Sequence, residues 1–519
     1  MQNITSVKIH PAIGIARLGN SPDEYFIGPE WPLADVTPQS GFRDVEGRIK
    51  RQAARFRLFG YDSRGRVVKE ITSADAEVTW TVHLANSKAE WVKFQGPKSR
   101  TNQTLRRNPT VTDRTTLIID PGPRSISGRN QSAKFDTGAF MGALVELGEI
   151  RADKQGRLLV LGGFGNSSSP NGTPIKEDEF ANNDGWHDDT SDGPVSATVR
   201  LKNNGANLAV AGAWVICAPP KFAPPIYNVI TLYDMLIQVA VDKLGFKLPA
   251  KPSFKNDIYP LLQRAINMKW VSGMVAHPME HADQRMPEHE VHHGDVAGPA
   301  HATLKTVIPP PGSPAARAAI FEKLRDPALS PRHSSGESDM PMVHSDFYPL
   351  EVNEPLTRIQ YQAMRKWKDG KFVNDWSGPP APTKEITPAG LDRAALEFCV
   401  GGPFFPGIEA SWLLRDVYKF VEPFRLDSGK LRAGDVTKQL AVPWQADFAD
   451  CAQEGELAWW PAQHPDDVFP EAGGPQVPWT RDIIGDDTSK SDMIQKWHRL
   501  GFIIKKGSKY IEVQRIANG

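Results

Sequence analysis

The chain has 519 residues, with 61 basic and 61 acidic side chains and a formal net charge of zero. That length suits two or three domains, and the even balance argues against a polyanionic partner such as nucleic acid. Hydrophobic residues at 40% and charged residues at 24% are those of an ordinary soluble globular protein, while 44 prolines and 43 glycines imply many turns.

Residues 1–8 have no basic segment leading into an apolar core, so no ordinary signal peptide is read there. No apolar run approaches the ~20 residues of a transmembrane helix, and no membrane partner is expected. Cysteines at 217, 399 and 451 are odd in number and widely spaced, which is not a disulfide framework. Cytoplasmic synthesis with reduced thiols is the default expectation, and non-classical export is compatible with it.

Taken in chain order, the first ~220 residues read as β-rich. Val78, Trp80, Val82 and Leu84 alternate with Thr79, Thr81 and His83. Residues 157–161 form a short apolar run ending at Gly162 and Gly163, and residues 209–216 form another, stopped by Pro219 and Pro220. From Val229 to Leu244 the period turns helical, with Leu232, Leu236, Val239 and Val241 on an apolar side. That change suggests a domain boundary. Residues 288–345 are rich in proline, histidine and serine and read as an extended arm, with room for a short helix at 315–324. Helical signal resumes at Thr357, which has capping-box spacing to Gln360, and again at Thr387, followed by Pro388 in a first-turn position. The expected fold is α+β: a β-rich domain over 1–228, a helical segment and connecting arm over 229–355, and a helical and irregular domain over 356–519.

The second helical pattern ends at Cys399, which opens the run Cys399-Val400-Gly401-Gly402-Pro403-Phe404-Phe405-Pro406-Gly407-Ile408-Glu409. Most cysteines are small core residues. A protease-type nucleophile favours a helix N-terminus, where the dipole stabilises thiolate; a helix C-terminus does the reverse. Two glycines and a proline let the backbone turn sharply and leave room beside the sulfur. Such a place suits a sulfur bonded to another side chain better than one that attacks a carbonyl. Trp459 and Trp460 follow about sixty residues later. Neighbours on an extended chain point to opposite sides, so only one of the two can reach Cys399.

These segments resemble those of the LodA-like quinoproteins. The resemblance is carried by His10-Pro11-Ala12-Ile13-Gly14-Ile15-Ala16-Arg17-Leu18-Gly19-Asn20-Ser21 and by Phe180-Ala181-Asn182-Asn183-Asp184-Gly185-Trp186-His187-Asp188-Asp189. Leu356 and Thr357 with Gln360, Tyr361, Trp367 and Phe372 extend it, as do the cysteine and tryptophan segments, in the same order. It implies an amino-acid oxidase whose cofactor is cysteine tryptophylquinone, made from Cys399 with Trp459 or Trp460. A substrate amine would condense with the quinone carbonyl, a carboxylate base would take a carbon-bound proton, and two electrons would enter the ring. Hydrolysis and reoxidation by dioxygen would give ammonia and hydrogen peroxide. A small-molecule amino-acid substrate, a flavoprotein maturation enzyme and a homo-oligomer are further implications.

Asp447, just before the tryptophans, is the first candidate for the base, followed by Glu409 and Asp392; carboxylates in such places are more often caps or ion-pair partners. Phe222, in Pro219-Pro220-Lys221-Phe222, resembles an aromatic position that faces substrate in relatives, and would favour a small or apolar substrate. The chain departs from the family in two places. The family uses an aspartate close before the crosslinked cysteine during cofactor formation, whereas Ala395 stands one helical turn before Cys399 here. Ser428 stands about where relatives can carry histidine. The alternative reading is therefore a LodA-like scaffold without mature quinone, acting as a binding or accessory protein in a biosynthetic pathway.

Other chemistries fit less well. His277, Glu280 and His281 match H-x-x-E-H, but Pro278 and Pro287 leave little helix to bring both histidines to one face, so no metal is expected. Asp184, Asp188, Asp189 and Asp192 lack EF-hand spacing and read as a hydrogen-bonded polar loop. Gly162, Gly163 and Gly165 follow a strand, but residues 166–170 cannot open the helix that a dinucleotide site requires.

Overall fold

Alternating and β-branched residues in the first part of the chain assemble one large sheet that delivers the ends of two strands side by side. The computed structural model describes residues 4–93, 105–179, 181–273, 311–328, 344–345, 352–353, 356–401, 409–410, 412–450, 462–483 and 489–517. Strand Ser6–His10 pairs with both Asn207–Ala211 and Arg51–Tyr61. The pairing continues through Ser191–Leu201, Ala213–Ala218 and Ile13–Arg17 back to Arg51–Tyr61, so six strands form a closed circuit. Closure leaves few edges to protect. One hydrophobic cluster joins Val7, Ile9, Phe56, Val195 and Val215 of these strands to Val160 of the neighbouring strand Leu158–Leu161.

The apolar run expected over 209–216 is two strands. Register passes from Val199↔Leu208 to Val195↔Ala213, one residue out of step, so the chain bulges in between. Gly212 lies in this bulge, where an added Cβ would sit 3.0 Å from the Val195 carbonyl oxygen. Past the bulge the chain changes parallel neighbour, from Ser6–His10 to Ile13–Arg17. Arg17 thereby pairs with Ala218, immediately before Pro219, Pro220 and Lys221.

Helices pack on this strand-rich part. Leu232–Lys243 starts in a complete capping box of Thr231 and Asp234, and Arg358–Lys368 in the box of Thr357 and Gln360 that their spacing suggests. Pro388–Glu397 is capped by Thr387, with proline in its first turn. A helix over Pro314–Glu322 fills the expected place. One core joins Ile13, Ile15, Trp214 and Ile216 of the sheet to Leu236, Leu396 and Cys399 of the helical part. The later chain is mostly helical or irregular, with few strands, so the fold is α+β. A hairpin of Phe502–Lys506 and Lys509–Val513 packs back on Phe222 and Phe42.

The aspartates expected in a polar loop are hydrogen-bonded, but Asp188 and Asp192 are buried struts. Asp188 accepts from Lys88 Nζ at 2.8 Å, Asn86 Nδ2 at 3.0 Å and the Trp444 amide at 3.0 Å. Asp192 accepts from Trp214 Nε1 at 2.9 Å and from Thr437 Oγ1 at 2.6 Å. Both tie the sheet to the later chain, where an apolar contact would fix neither direction nor register. No helix among the described residues is long and apolar enough to cross a membrane. The H-x-x-E-H segment, and His289, His292 and His293, lie outside the described residues.

Candidate active site

Cys399 follows the last turn of helix Pro388–Glu397, where its amide donates to Leu396 O at 3.2 Å. Its thiol donates to Ala395 O at 3.5 Å and is 1% exposed. The chain then runs along residues 230–232: the Leu232 amide donates to Cys399 O and the Gly401 amide to Ile230 O, each at 3.1 Å. Gly401 is required here, because a Cβ would run into the Thr231 backbone. Thus the sulfur is fixed between a helix end and a backbone ladder, away from water.

Three chain regions meet at that sulfur. Arg17, from the end of its strand, directs Nη2 at Cys399 Sγ (3.7 Å), Glu409 Oε1 (3.3 Å) and Phe398 O (3.3 Å). Its Nη1 donates to Pro219 O at 3.0 Å and lies 3.5 Å from Gln463 Oε1. Gln463 Nε2 donates to Pro220 O at 2.8 Å, and its carbonyl accepts from the Phe222 amide at 2.9 Å. Lys221 is buried with its ammonium 5.0 Å from the centre of the Phe398 ring, and the Arg17 guanidinium is 5.5 Å from the same ring.

Burial dominates the electrostatics. It pushes the Cys399 thiol up to about 12, outweighing the pull of Arg17 and Lys221. It raises the Glu409 carboxyl against the same two cations, and brings the Lys221 ammonium down to about 7. A thiol held neutral is a poor nucleophile. Glu409 Oε2 and Arg17 Nε have no hydrogen-bond partner among the described residues, so the cluster retains polar capacity.

Of the expected site residues, Cys399 and Glu409 come together through Arg17. Asp392 is elsewhere: it accepts from His10 Nδ1 at 3.0 Å and from the Ala12 amide at 2.6 Å, clipping its helix to the first two strands. Asp447 is buried in helix Trp444–Asp450, near enough to Lys88 to favour that lysine's charged form. Phe222 has no exposed surface; its ring packs 4.9 Å from Trp479 and 5.0 Å from Phe502. Trp459 and Trp460 lie outside the described residues. Arg17, Lys221 and Gln463 complete the cluster, although only Arg17 left a signal, as a charge inside the apolar run from Ile13 to Leu18. Buried His464, stacked 5.8 Å from Trp479, is pushed down to about 4 by desolvation. Among the described residues no three acidic, cysteine or histidine side chains could hold a metal ion.

Comparison with known proteins extends this picture. Residues 10–217 match the L-lysine epsilon oxidase N-terminal family model, and residues 349–471 match that of the L-lysine epsilon oxidase C-terminal domain. The L-lysine 6-oxidase of Marinomonas mediterranea is 27% identical over 86% of this chain and 71% of its own. A structure of the epsilon-lysine oxidase from that organism covers 98% of this chain and 95% of its own, with TM-score 0.77 at 24% identity. A second, of the Schiff base intermediate of L-Lys epsilon-oxidase with L-Lys, covers the same shares, with TM-score 0.74 at 23% identity. At those identities the two structures establish the shared fold. The two matched regions, which meet where Arg17 contacts buried Cys399, place the chain among the quinoproteins, oxidoreductases whose cofactor derives from their own chain. The chain belongs to the LodA-like family, the L-lysine epsilon oxidases, and is an enzyme of the amino-acid oxidase class.

Proposed function

We propose that Cys399 is bonded through sulfur to Trp459 or Trp460 in a cysteine tryptophylquinone, and that the enzyme deaminates a primary amine of a free amino acid. Ammonia and hydrogen peroxide are the co-products. The observation that carries the crosslink is Gln463, which contacts Arg17 and the turn at Pro220. It follows Trp460 by three positions and Trp459 by four. An extended chain spans at most ~3.6 Å per residue, so three or four positions bridge no more than about 11 to 14 Å, which favours a tryptophan partner near this cluster. Arg17 in turn touches Cys399.

The surrounding groups suit such a cofactor. A thioether sulfur carries no proton, which agrees with a buried site that opposes thiolate. Donors at Arg17 Nε and Lys221 can meet quinone or carboxylate oxygens. The quinone supplies an electrophilic carbonyl and a sink for two electrons.

The chain's own residues do the rest. Glu409 is the base in this reading, ahead of Asp447, because it shares Arg17 with Cys399 while Asp447 sits by Lys88. Burial makes Glu409 more basic than an ordinary carboxylate, and Oε2 is without a partner among the described residues, so it can accept a proton. Arg17 holds that carboxylate in place through Oε1. Phe222 closes the apolar wall behind Lys221 and keeps water from the cluster. Asp392 serves in this reading by holding its helix to the strands. A flavoprotein that completes the quinone, and a homo-oligomeric assembly, belong to the same proposal.

Intact mass of protein co-expressed with its neighbouring flavoprotein, followed by peptide mapping, tests it. Two added oxygens, lost hydrogens and a Cys399 peptide joined to Trp459 or Trp460 are expected. An unmodified mass with a free Cys399 thiol would overturn the oxidase mechanism and favour a binding scaffold, a reading that Ala395 before the cysteine also suits.

A further inference from the structure

A groove of about 630 Å³ opens at the end of the sheet remote from Cys399. Strand Ser191–Leu201 starts beside the cysteine cluster, since Ser191 pairs with Cys217 and the next residue, Ala218, pairs with Arg17. The groove is lined by the other end of that strand, Thr198 to Arg200, and by Lys202 beyond it. Thr198 follows Ser191 by seven residues, which is about 23 Å along a strand. A substrate held at the cysteine therefore does not occupy this groove.

Three neighbouring strands, Arg124–Ser127, Ala76–Val82 and Ser191–Leu201, form its floor. Val78, Trp80 and Val82 are buried on one face of the middle strand, so alternation turns its threonines to the other. Thr79 shares a hydrogen bond with Ser127 at 2.8 Å and pairs with Thr198 on its other side. Thr81 and Ser125 repeat that bond at 2.8 Å one step along.

Charges stand around these hydroxyls. Among the described lining residues Arg129, Arg200 and Lys202 face a single carboxylate, Glu77. The whole chain is neutral, so the groove is a local excess of positive charge. Glu77 is engaged by Arg200 at 3.1 Å, in a well-exposed pair. Lys202 Nζ donates to Ser73 O at 2.6 Å, which leaves its charge uncompensated. Arg129 is exposed and makes no hydrogen bond or ion pair with a described residue.

The volume is that of a site for an organic ligand and far exceeds one inorganic anion. Arg129 and Arg200 come from strands two apart, roughly 10 Å, a gap that one oxyanion does not bridge. No aromatic side chain is among the described lining residues, so bases and neutral sugars find no stacking platform. Hydroxyls that both donate and accept match the hydroxyls of a sugar, and the cations match carboxylates. We propose that this groove is a binding site for an acidic oligosaccharide, a short run of uronic-acid units, separate from the catalytic centre.

Calorimetric titration of the full chain with trigalacturonate tests the proposal, with maltotriose, triaspartate and sulfate as comparisons. Trigalacturonate should bind, and more weakly as salt rises, because exposed cations are screened. Maltotriose, which has the hydroxyls without the charge, should not bind. Arg129→Ser should weaken trigalacturonate binding about fivefold, and adding Lys202→Ser should weaken it further. Both side chains are exposed, so the melting temperature and amino-acid oxidation should stay those of the parent. Absence of trigalacturonate binding, or binding that both variants retain, would overturn the proposal. Equal affinity for maltotriose would overturn it by removing the role of charge. Tighter binding of triaspartate would reassign the groove to acidic peptides, and equal affinity for sulfate would reduce it to a site for inorganic anions.

Discussion

Arg17 Nη2 and Cys399 Sγ lie 3.7 Å apart although 382 residues separate them in the chain. The same guanidinium neutralises buried Glu409. Arg17→Met would leave that carboxylate without its ion-pair partner and should cost about 3–5 kcal/mol. Pairing it with Glu409→Gln should recover at least ~1 kcal/mol of the loss, because the two side chains act as one unit. Urea unfolding of both single variants and the double variant measures the coupling. Equal, additive losses would mean that the pair contributes nothing.

Glu409→Gln keeps shape and hydrogen bonding but cannot take a proton. If Glu409 is the base, kcat should fall by about 10²–10⁴ while quinone content per protein is retained. Asp447→Asn provides the contrast: its main loss should be stability, since its surroundings are the buried Lys88 and Asp188 network. The opposite ranking in kcat would transfer the role to Asp447.

Asp392 accepts from two buried donors, His10 Nδ1 and the Ala12 amide. Asp392→Ala strands both and should cost about 2–5 kcal/mol, whereas Asp392→Asn retains an acceptor and should cost less than half as much. Thermal unfolding of the two variants separates these values. A loss below ~0.5 kcal/mol in the alanine variant would mean that the clip is not a stabilising contact.

Asp189 provides a pH-dependent contribution of defined sign. Burial pushes it up to about 7 from an ordinary 3.8, against hydrogen bonds from the Phe164 and Asn166 amides. Between those values the folded protein holds a proton that the unfolded chain has released. This group's contribution to stability is therefore full below pH ~4 and lost as pH rises through about 7, at up to ~1.4 kcal/mol per unit. Asp189→Asn mimics the protonated acid, and its unfolding midpoint should change less between pH 5 and 7 than that of the parent. Parallel pH profiles would show that Asp189 is already ionised in the folded state.

Local chemistry made much of the fold legible. Thr357 with Gln360, and Thr387 with Pro388, signal helix starts because caps use neighbouring residues. Trp80 and its alternating neighbours signal a strand for the same reason. The bulge at Gly212 was not legible, because it arises from a change of pairing partner between distant strands. Cys399 and Glu409 could be picked out by the motif they share, but Lys221 could not. Its place beside Arg17 and the Phe398 ring depends on the assembled surroundings, which no local pattern reveals. Asp392 and Asp447 had the right charge and sequence neighbourhood, yet folding turned them toward His10 and Lys88.

The backbone of Phe222 is held on both sides, its amide donating to Gln463 O and its carbonyl accepting from the Ile503 amide at 2.7 Å. Ile503 belongs to the hairpin that ends at Val513. The wall of the site is thus locked by residues that are synthesised well after Phe222 itself, and later still relative to Arg17. A nascent chain paused between Cys399 and Ile503 has the cysteine but lacks the lock. The wall therefore closes only once the hairpin has been made, so its assembly waits on a segment far along the chain from the strand and helix that it covers.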